Sequence, residues 1–181
     1  MWKLIASVNL LLALSTSLAG QSSAEVFVDS MISLERSECF GTCPNYKVTI
    51  WGDGRLIYEG IKYVKTEGTI TAKVATKQFQ ELMAAFRKAK YFKLRDSYAY
   101  EKDGCTAMVS DEFWAYTTIQ INSRKKSIRH YMGCYEGSDK FNLELQRLTE
   151  LENKIDEIIK IEQWIGTKEE RNKFQYFIKV Q

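Results

Sequence analysis

Apolar residues change their spacing along this sequence, and the order of the two spacings constrains the fold more than any other feature. The alternation typical of strands comes first, and the hairpin signal Gly52-Asp53-Gly54 joins two of the alternating segments. Gly60 is predicted to break the third segment, and Gly68 to turn the chain into the fifth. The predicted strands cover residues 31–36, 46–51, 56–59, 63–65, 69–74, 114–122 and 127–131.

Two stretches instead carry the spacing of an amphipathic helix, behind predicted caps at Thr76 and Ser138. Their apolar positions are Phe79, Leu82, Met83 and Phe86 in the first, and Phe141, Leu145, Leu148, Leu151, Ile155, Ile158 and Ile159 in the second. Strands, helix, hairpin and helix in this order do not fit regularly alternating βαβ units. The predicted fold class is therefore α+β, an antiparallel meander and hairpin sheet packed by two amphipathic helices.

The amino terminus has the three parts of a secretory signal peptide. A positive start at Lys3 precedes an apolar run over residues 4–14, and small residues follow. Cleavage is expected after Ala19, with Ala24 as the alternative site. About 15 apolar-dominated residues fall short of the roughly 20 that span a bilayer, so an uncleaved membrane anchor is the less favoured interpretation. The protein is therefore predicted to be exported, periplasmic or secreted, with no transmembrane segment after cleavage.

Three regions follow from these patterns. They are a signal peptide over residues 1–19, a single α+β domain over residues 25–165, and a tail over residues 166–181. Thr167 and Glu170 match a capping box, and the apolar residues beyond them alternate. A short helix and a short strand are therefore predicted in the tail.

Export to an oxidising compartment makes two disulfides the simplest use of the four cysteines. Four cysteines allow three pairings. The favoured one joins Cys39 to Cys43, which can reach each other only on a tight turn, and Cys105 to Cys134. Two alternatives stay open. A redox-active Cys39/Cys43 pair would need a thiol more acidic than usual, and a zinc site would combine the four cysteines, with His130 as a further ligand.

One block around the first two cysteines is specific enough to suggest a relationship. The residues Cys-Phe-Gly-Thr-Cys-Pro-Asn-Tyr-Lys-Val-Thr-Ile at 39–50, with Gly-Asp-Gly at 52–54 and Tyr-Glu-Gly at 58–60, resemble a family of uncharacterised bacterial exported domains. The resemblance covers residues 32–165. It implies a small α+β domain on exported or envelope proteins, without an assigned activity and without catalytic residues to carry over.

Charge and composition disfavour several function classes. Lys and Arg number 26 against 23 Asp and Glu, and the resulting charge of +3 is too mild to indicate nucleic acid. His130, the single histidine, is a candidate general base, but a surface or half-buried strand residue is the favoured interpretation. The acids that match no calcium-loop spacing are Asp96, Glu101, Asp103, Asp111 and Glu112. No cofactor, metal site or catalytic residue is predicted, and an enzymatic role is disfavoured.

The candidate binding residues surround a predicted long loop at residues 97–112 and the basic hairpin that follows it. Aromatic residues on an ordered loop are a common binding surface, although core packing would account for the same aromatics. The predicted binding residues are Tyr98, Tyr100, Trp114, Arg124 and Lys126. A second basic stretch, which is a candidate for acidic polymers or lipid head groups, contains Arg87, Lys88, Lys90, Lys93 and Arg95. A solvated hairpin tip and a helix end with cations near its carboxyl terminus would account for the two basic stretches as well.

Together these patterns predict an exported, disulfide-stabilised interaction module of the bacterial envelope. Its partner would be a protein or an envelope component. The alternative function is that of a thiol-disulfide redox protein using Cys39 and Cys43.

Overall fold

A computed structural model describes Phe27 and residues 29–171 of this chain. The predicted signal peptide and the predicted last strand of the tail lie outside the described residues. The strands are β1 (Ser30–Arg36), β2 (Asn45–Trp51), β3 (Arg55–Lys62), β4 (Gly68–Lys73), β5 (Ser97–Tyr98), β6 (Ala107–Met108), β7 (Trp114–Ile121), β8 (Arg124–Tyr131) and β9 (Cys134–Glu136). The helices are α1 (Thr76–Ala89), α2 (Asp139–Ile159) and α3 (Glu162–Ile165).

Seven of these strands form one sheet in the order β4-β3-β2-β1-β7-β8-β5. All neighbours in this sheet are antiparallel except the short edge strand β5, which runs parallel to β8. The meander β1 to β4 and the hairpin β7–β8 meet at β1, which pairs with both β2 and β7. The predicted α+β class with an antiparallel-rich sheet is confirmed.

The helices pack against one face of this sheet, and the other face is free of helices among the described residues. Along β1, Ile32 and Leu34 are fully buried, whereas Ser33 and Glu35, which follow them in turn, are half-buried on the opposite face. The same alternation continues through β2, β3, β7 and β8, as a one-sided antiparallel sheet requires. The two helical stripes pack against the buried side, with Phe79 and Phe141 among the fully buried side chains.

The meander differs from the prediction at Gly60. Strand β3 continues through this glycine to Lys62, and residues 63–66 form a bend instead of a strand. A Cβ atom at position 60 would lie 2.1 Å from the Thr66 carbonyl oxygen and 2.6 Å from the Tyr58 hydroxyl. The Tyr58 hydroxyl itself donates to the Thr66 oxygen over 3.0 Å. Glycine is required here because the chain folds back against the strand, not because the strand ends.

The helix caps are partly as predicted. Ser138 caps α2, its hydroxyl accepting from the Phe141 N–H at 3.4 Å. The cap of α1 is Ala75 and not Thr76, which is already the first helical residue. The Gln78 side-chain oxygen accepts from the Ala75 N–H at 2.9 Å. This bond satisfies the backbone donor of the cap residue itself, which the side chain of a cap residue does not pair.

Both predicted disulfides are present. Cys39 and Cys43 lie on a tight turn between β1 and β2 with their Cα atoms 5.5 Å apart, and Cys105 joins Cys134 with a Cα separation of 5.9 Å. The second bond ties the segment predicted as a long loop to β9. That segment is more ordered than predicted, because it contains β5, a short 3-10 turn at Glu101–Asp103, and β6 paired with β9.

The short helix predicted in the tail is present. Residues 168–171 are helical, and Thr167 and Glu170 exchange the two hydrogen bonds of the predicted capping box.

Among the described residues, none of the helices combines the length and the hydropathy that crossing a bilayer requires.

Four tyrosines are buried among the apolar residues of the core, namely Tyr46, Tyr58, Tyr91 and Tyr98. Burial disfavours the phenolate, so it raises the pKa of Tyr58 to about 12 and raises the pKa of the other three well above the ordinary value. These groups keep their protons in the folded chain under conditions in which exposed tyrosines ionise.

Replacing the two disulfides separately should destabilise the fold unequally. The loop that Cys105–Cys134 closes is much longer than the Cys39–Cys43 ring, with sequence separations of 29 and 4. Loop entropy predicts a loss of about 3.5 kcal/mol in unfolding free energy for the serine double variant of the long loop, and about 2 kcal/mol for the short ring. Urea unfolding followed by tryptophan fluorescence measures both, and a larger loss for the short ring would contradict this account.

The free energy of unfolding should fall as the pH rises above about 10, the ordinary pKa of tyrosine. The unfolded chain then releases protons that the four buried tyrosines retain, and a state that binds fewer protons gains stability with pH. In an alkaline titration followed by tyrosinate absorbance, four of the ten tyrosines should ionise only as the chain unfolds. Ionisation of all ten before any change in circular dichroism would refute this.

Candidate functional site

Four aromatic side chains meet on the sheet face that the helices leave open. We call Tyr100, Trp114, Tyr116 and Tyr131 the aromatic cluster. Trp114 is central: its ring centroid lies 5.9 Å from that of Tyr100, 6.1 Å from Tyr116 and 5.1 Å from Tyr131. The Trp114 and Tyr116 rings are only 16° from parallel. The Tyr100 and Tyr131 rings are tilted by 57° and 44° from that of Trp114. Alternate positions of β7 and the opposite position of β8 therefore bring these aromatic rings together on one face of the sheet.

Two hydrogen bonds and one disulfide fix the position of this cluster. The Trp114 N–H donates to the Ser37 hydroxyl over 2.9 Å, which links β7 to the end of β1. The Tyr131 hydroxyl donates to the Val109 carbonyl over 2.9 Å, and thereby holds the segment before β7. The Cys105–Cys134 bond anchors the same segment to β9. Such anchoring lowers the ordering entropy that binding would otherwise cost.

Exposed apolar side chains surround the aromatic cluster. Phe40, on the Cys39–Cys43 turn, is 89% exposed, and its N–H donates to the Asp111 carbonyl at 3.2 Å. Among the described residues, large hydrophobic side chains are exposed at eight positions, and six of these belong to the cluster or to segments that contact it. The six are Phe40, Tyr100, Met108, Val109, Tyr116 and Tyr135. We call this region, the cluster with these neighbours, the disulfide end of the sheet.

Charged groups flank the cluster on the side of β8 and β5. The Arg129 guanidinium lies 5.7 Å from the Tyr100 ring centroid, and the Lys102 ammonium lies at the same distance from that ring. Arg129 also donates to the Ser97 hydroxyl over 2.8 Å, and Ser97 donates to the Asp103 carboxylate over 2.7 Å. The Arg129 guanidinium also pairs with the Asp103 carboxylate at 4.0 Å. The aromatic surface thus carries a charged rim of both signs, whose geometry is fixed by β5 and the 3-10 turn.

The predicted binding residues do not form one site. Tyr100 and Trp114 lie together in the aromatic cluster, but Tyr98 is fully buried, its hydroxyl donating to Glu144 at 3.2 Å. Arg124 begins β8 at the opposite end of the hairpin, because it pairs with Ile121 while Trp114 pairs with Tyr131. That is seven residues, or about 23 Å along the strand at roughly 3.3 Å per residue.

Lys126 and Tyr98 are therefore excluded from the aromatic surface for different reasons. Lys126 pairs with the buried Ile119 and so lies on the helix side of the sheet, where its ammonium contacts Asp96. Tyr98 packs its ring 5.3 Å from that of Phe141 in α2. The predicted binding role of Tyr98 is therefore wrong, because its side chain is part of the core.

His130 is buried in a polar group, and the expected surface or half-buried position is wrong. Its Nδ1 is 2.9 Å from Glu152 Oε2, and the Thr117 hydroxyl donates to Glu152 Oε1 over 3.0 Å. His130 and Glu152 are 2% and 0% exposed, so no substrate can reach them. Glu152 follows Leu148 and Leu151 at four and one residues, on the apolar stripe of α2. An acid at a stripe position was the signal for a buried partner.

A second buried group lies one helical turn further along α2. Asp156 Oδ2 accepts from Arg36 Nε at 3.0 Å and from Nη2 at 2.8 Å, and Oδ1 accepts from the Tyr46 hydroxyl at 2.7 Å. Burial alone would lower the pKa of the Arg36 guanidinium, but the Asp156 carboxylate reverses this and raises that pKa above its ordinary value. The arginine therefore stays charged inside the fold, with its partners in place.

The described residues contain no cluster of three or more His, Cys, Asp or Glu side chains that could hold a metal ion. The four cysteines are all disulfide-bonded, so they do not form the zinc site that was one alternative. Cys39 and Cys43 lie on an irregular turn between two strands, without the helix amino terminus that lowers the pKa of reactive thiols.

Comparison with known families identifies the relationship. Residues 30–159, from the start of β1 to the end of α2, match the family model described as "Domain of unknown function (DUF6438)". The chain belongs to this family. The DUF6438 region contains the whole seven-stranded sheet, both disulfides and the aromatic cluster. The expected membership of a family of unknown function is confirmed, while the bacterial origin and the export of its members stay predictions.

A search of curated proteins found no match to this chain.

Replacing His130 by alanine should destabilise this DUF6438 domain by about 3–5 kcal/mol, since it leaves the Glu152 carboxylate buried with one partner fewer. Arg129→Ala is the matched control, because Arg129 is the exposed neighbour on the other face of β8. That variant should lose less than about 1 kcal/mol. Equal unfolding free energies for the two variants in urea would show that the buried pair is dispensable.

Proposed function

We propose that this chain is an exported binding module that holds a protein partner at the disulfide end of the sheet. The observation that carries the proposal is the concentration of exposed aromatic and apolar side chains there, centred on Trp114. Contiguous apolar surface rimmed by polar groups is typical of interaction sites. Tryptophan, tyrosine and arginine are the residues enriched among energetic hot spots, and Trp114, Tyr116 and Arg129 are neighbours on this surface.

The shape of the surface favours a protein partner over a small molecule. The aromatic cluster lies on a sheet face, whereas small molecules bind in concave pockets that cover most of their surface. The exposed side chain of Phe40 adds an apolar projection beside it. An aromatic centre with a polar rim is the usual anatomy of a protein interface.

Support for export comes from the four disulfide-bonded cysteines. Two disulfides in a chain of this size are typical of proteins that fold in an oxidising compartment. The Cys105–Cys134 bond also orders the segment that carries Met108 and Val109, so oxidation and the integrity of the proposed surface are linked. Binding should therefore be lost when the protein is reduced.

Photo-crosslinking in the native host tests the proposed surface directly. Benzoylphenylalanine placed at Phe40 or Tyr116 should yield a discrete adduct with a protein. The control position is Leu143, which is 49% exposed, compared with 40% for Tyr116, but lies on α2. Comparable adducts from Leu143, or none from Phe40 and Tyr116, would refute the proposal.

A variant of the central tryptophan provides the second arm of this experiment. Trp114→Ala removes the ring that contacts the other three and should reduce adduct yield by at least about tenfold, as expected for a hot-spot residue. Trp51→Ala is the matched control, because Trp51 also lies on the open face but at the far end of β2. The Trp51 variant should crosslink like the parent chain, provided that circular dichroism shows both variants folded.

A further inference from the structure

A pocket of about 500 Å³ opens on the helix side of the sheet, at the end opposite to the aromatic cluster. Its floor is apolar and comes from three elements: Met83 and Phe86 of α1, Tyr91 of the turn that follows, and Ile119 of β7. All four are buried, and the half-buried Phe92 and Ile121 complete the apolar lining that a ligand can reach. The Tyr91 ring is held edge-on against Phe86, with centroids 4.9 Å apart, so the floor is packed and preformed. This volume is within the range of small-ligand sites.

The rim of the same pocket is cationic. Four basic side chains line it, namely Arg87, Lys90, Lys93 and Arg124, and no acidic residue is found among the described residues that line it. Arg124 lies over the Phe92 ring, 3.8 Å from its centroid, and so stays close to the pocket wall. Lys90 has a left-handed backbone, φ 54°, which turns the chain from α1 into the segment carrying Lys93.

The two basic stretches of the sequence thus meet at one place. Lys90 and Arg124 are 34 residues apart in the sequence. The packing of α1 against the β7–β8 hairpin brings both to the rim of this pocket. Clustered positive charge around an apolar, low-dielectric cavity favours an anion and strengthens its contacts. The ligand that satisfies both parts has an apolar body and a single anionic head.

We propose that this pocket binds a fatty acid, its hydrocarbon chain against the floor and its carboxylate at the cationic rim. Guanidinium and ammonium groups form strong charge-assisted hydrogen bonds with carboxylates. The pocket lies on the opposite face and at the opposite end of the hairpin from the disulfide end, so the two sites can be tested separately.

Methyl NMR of the full chain, labelled with carbon-13 at the methionine methyls, tests the proposal. Dodecanoate should shift the Met83 signal saturably, while Met31 on the open sheet face and Met108 in β6 stay in place. The Met83 signal is assigned by its absence from Met83→Leu. Dodecyltrimethylammonium has the same chain with a cationic head, and it should cause no saturable shift of Met83.

Two double variants test the rim. Lys93→Gln with Arg124→Gln should weaken dodecanoate binding by at least about tenfold, the effect of losing one charge-assisted contact. Lys88→Gln with Lys125→Gln is the control, because it removes the same charge from exposed neighbours that do not line the pocket. The control should bind dodecanoate like the parent chain.

Several results would overturn the proposal. They are an unmoved Met83 signal, equal shifts with both head groups, equal weakening in the two double variants, and tighter binding to anionic phospholipid vesicles than to dodecanoate. Vesicles present the same charge but keep their chains in the bilayer, so they separate a fatty-acid site from a membrane contact. The comparison of the two head groups uses only the parent chain and stands even if a rim variant fails to fold.

Discussion

Two carboxylates on one helix hold the centre of this fold together. Glu152 and Asp156 are one turn apart on α2 and both point into the sheet, where the first binds β7 and β8 and the second binds β1 and β2. The four central strands are therefore connected to one helix by polar contacts of fixed geometry. Burying these charges is costly, and each carboxylate is satisfied only if α2 lies in one register against the sheet. Among the described residues, no buried side-chain nitrogen or oxygen lacks a partner.

The same contacts stiffen the surface that we propose for binding. Strands β7 and β8 present Thr117 and His130 to Glu152 on one face, while Tyr116 and Tyr131 belong to the aromatic cluster on the other. Because neighbouring residues of a strand alternate between the two faces, fixing one set fixes the other. The helix thus restrains the aromatic cluster without touching it, and the disulfide restrains its edge.

Much of the architecture was predictable because it depends on local patterns. Alternation located the main strands, the three-and-four spacing located both long helices, and cysteine positions with the predicted compartment indicated the correct pairing. The predicted strand end at Gly60 is wrong, because this glycine instead allows the bend at Thr66 to approach β3 closely. That approach is a tertiary contact, which no local sequence pattern indicates. Tyr98 was assigned to a surface because the register of β5 against β8, which buries it, depends on only two paired residues.

The candidate sites were harder to predict, because each arises from residues that are distant in the sequence. The two basic stretches each indicated anion binding, but neither their positions nor the net charge of +3 showed that their side chains share one rim. Recognition depends on the local field. Basic residues from α1, the turn after it and β8 converge at the rim of one pocket, and the described residues that line this pocket include no acid. The aromatic cluster arises in the same way, from a turn and two strands that the fold alone makes adjacent. In this family member, function is therefore better sought in how the sheet assembles its two ends than in any single motif.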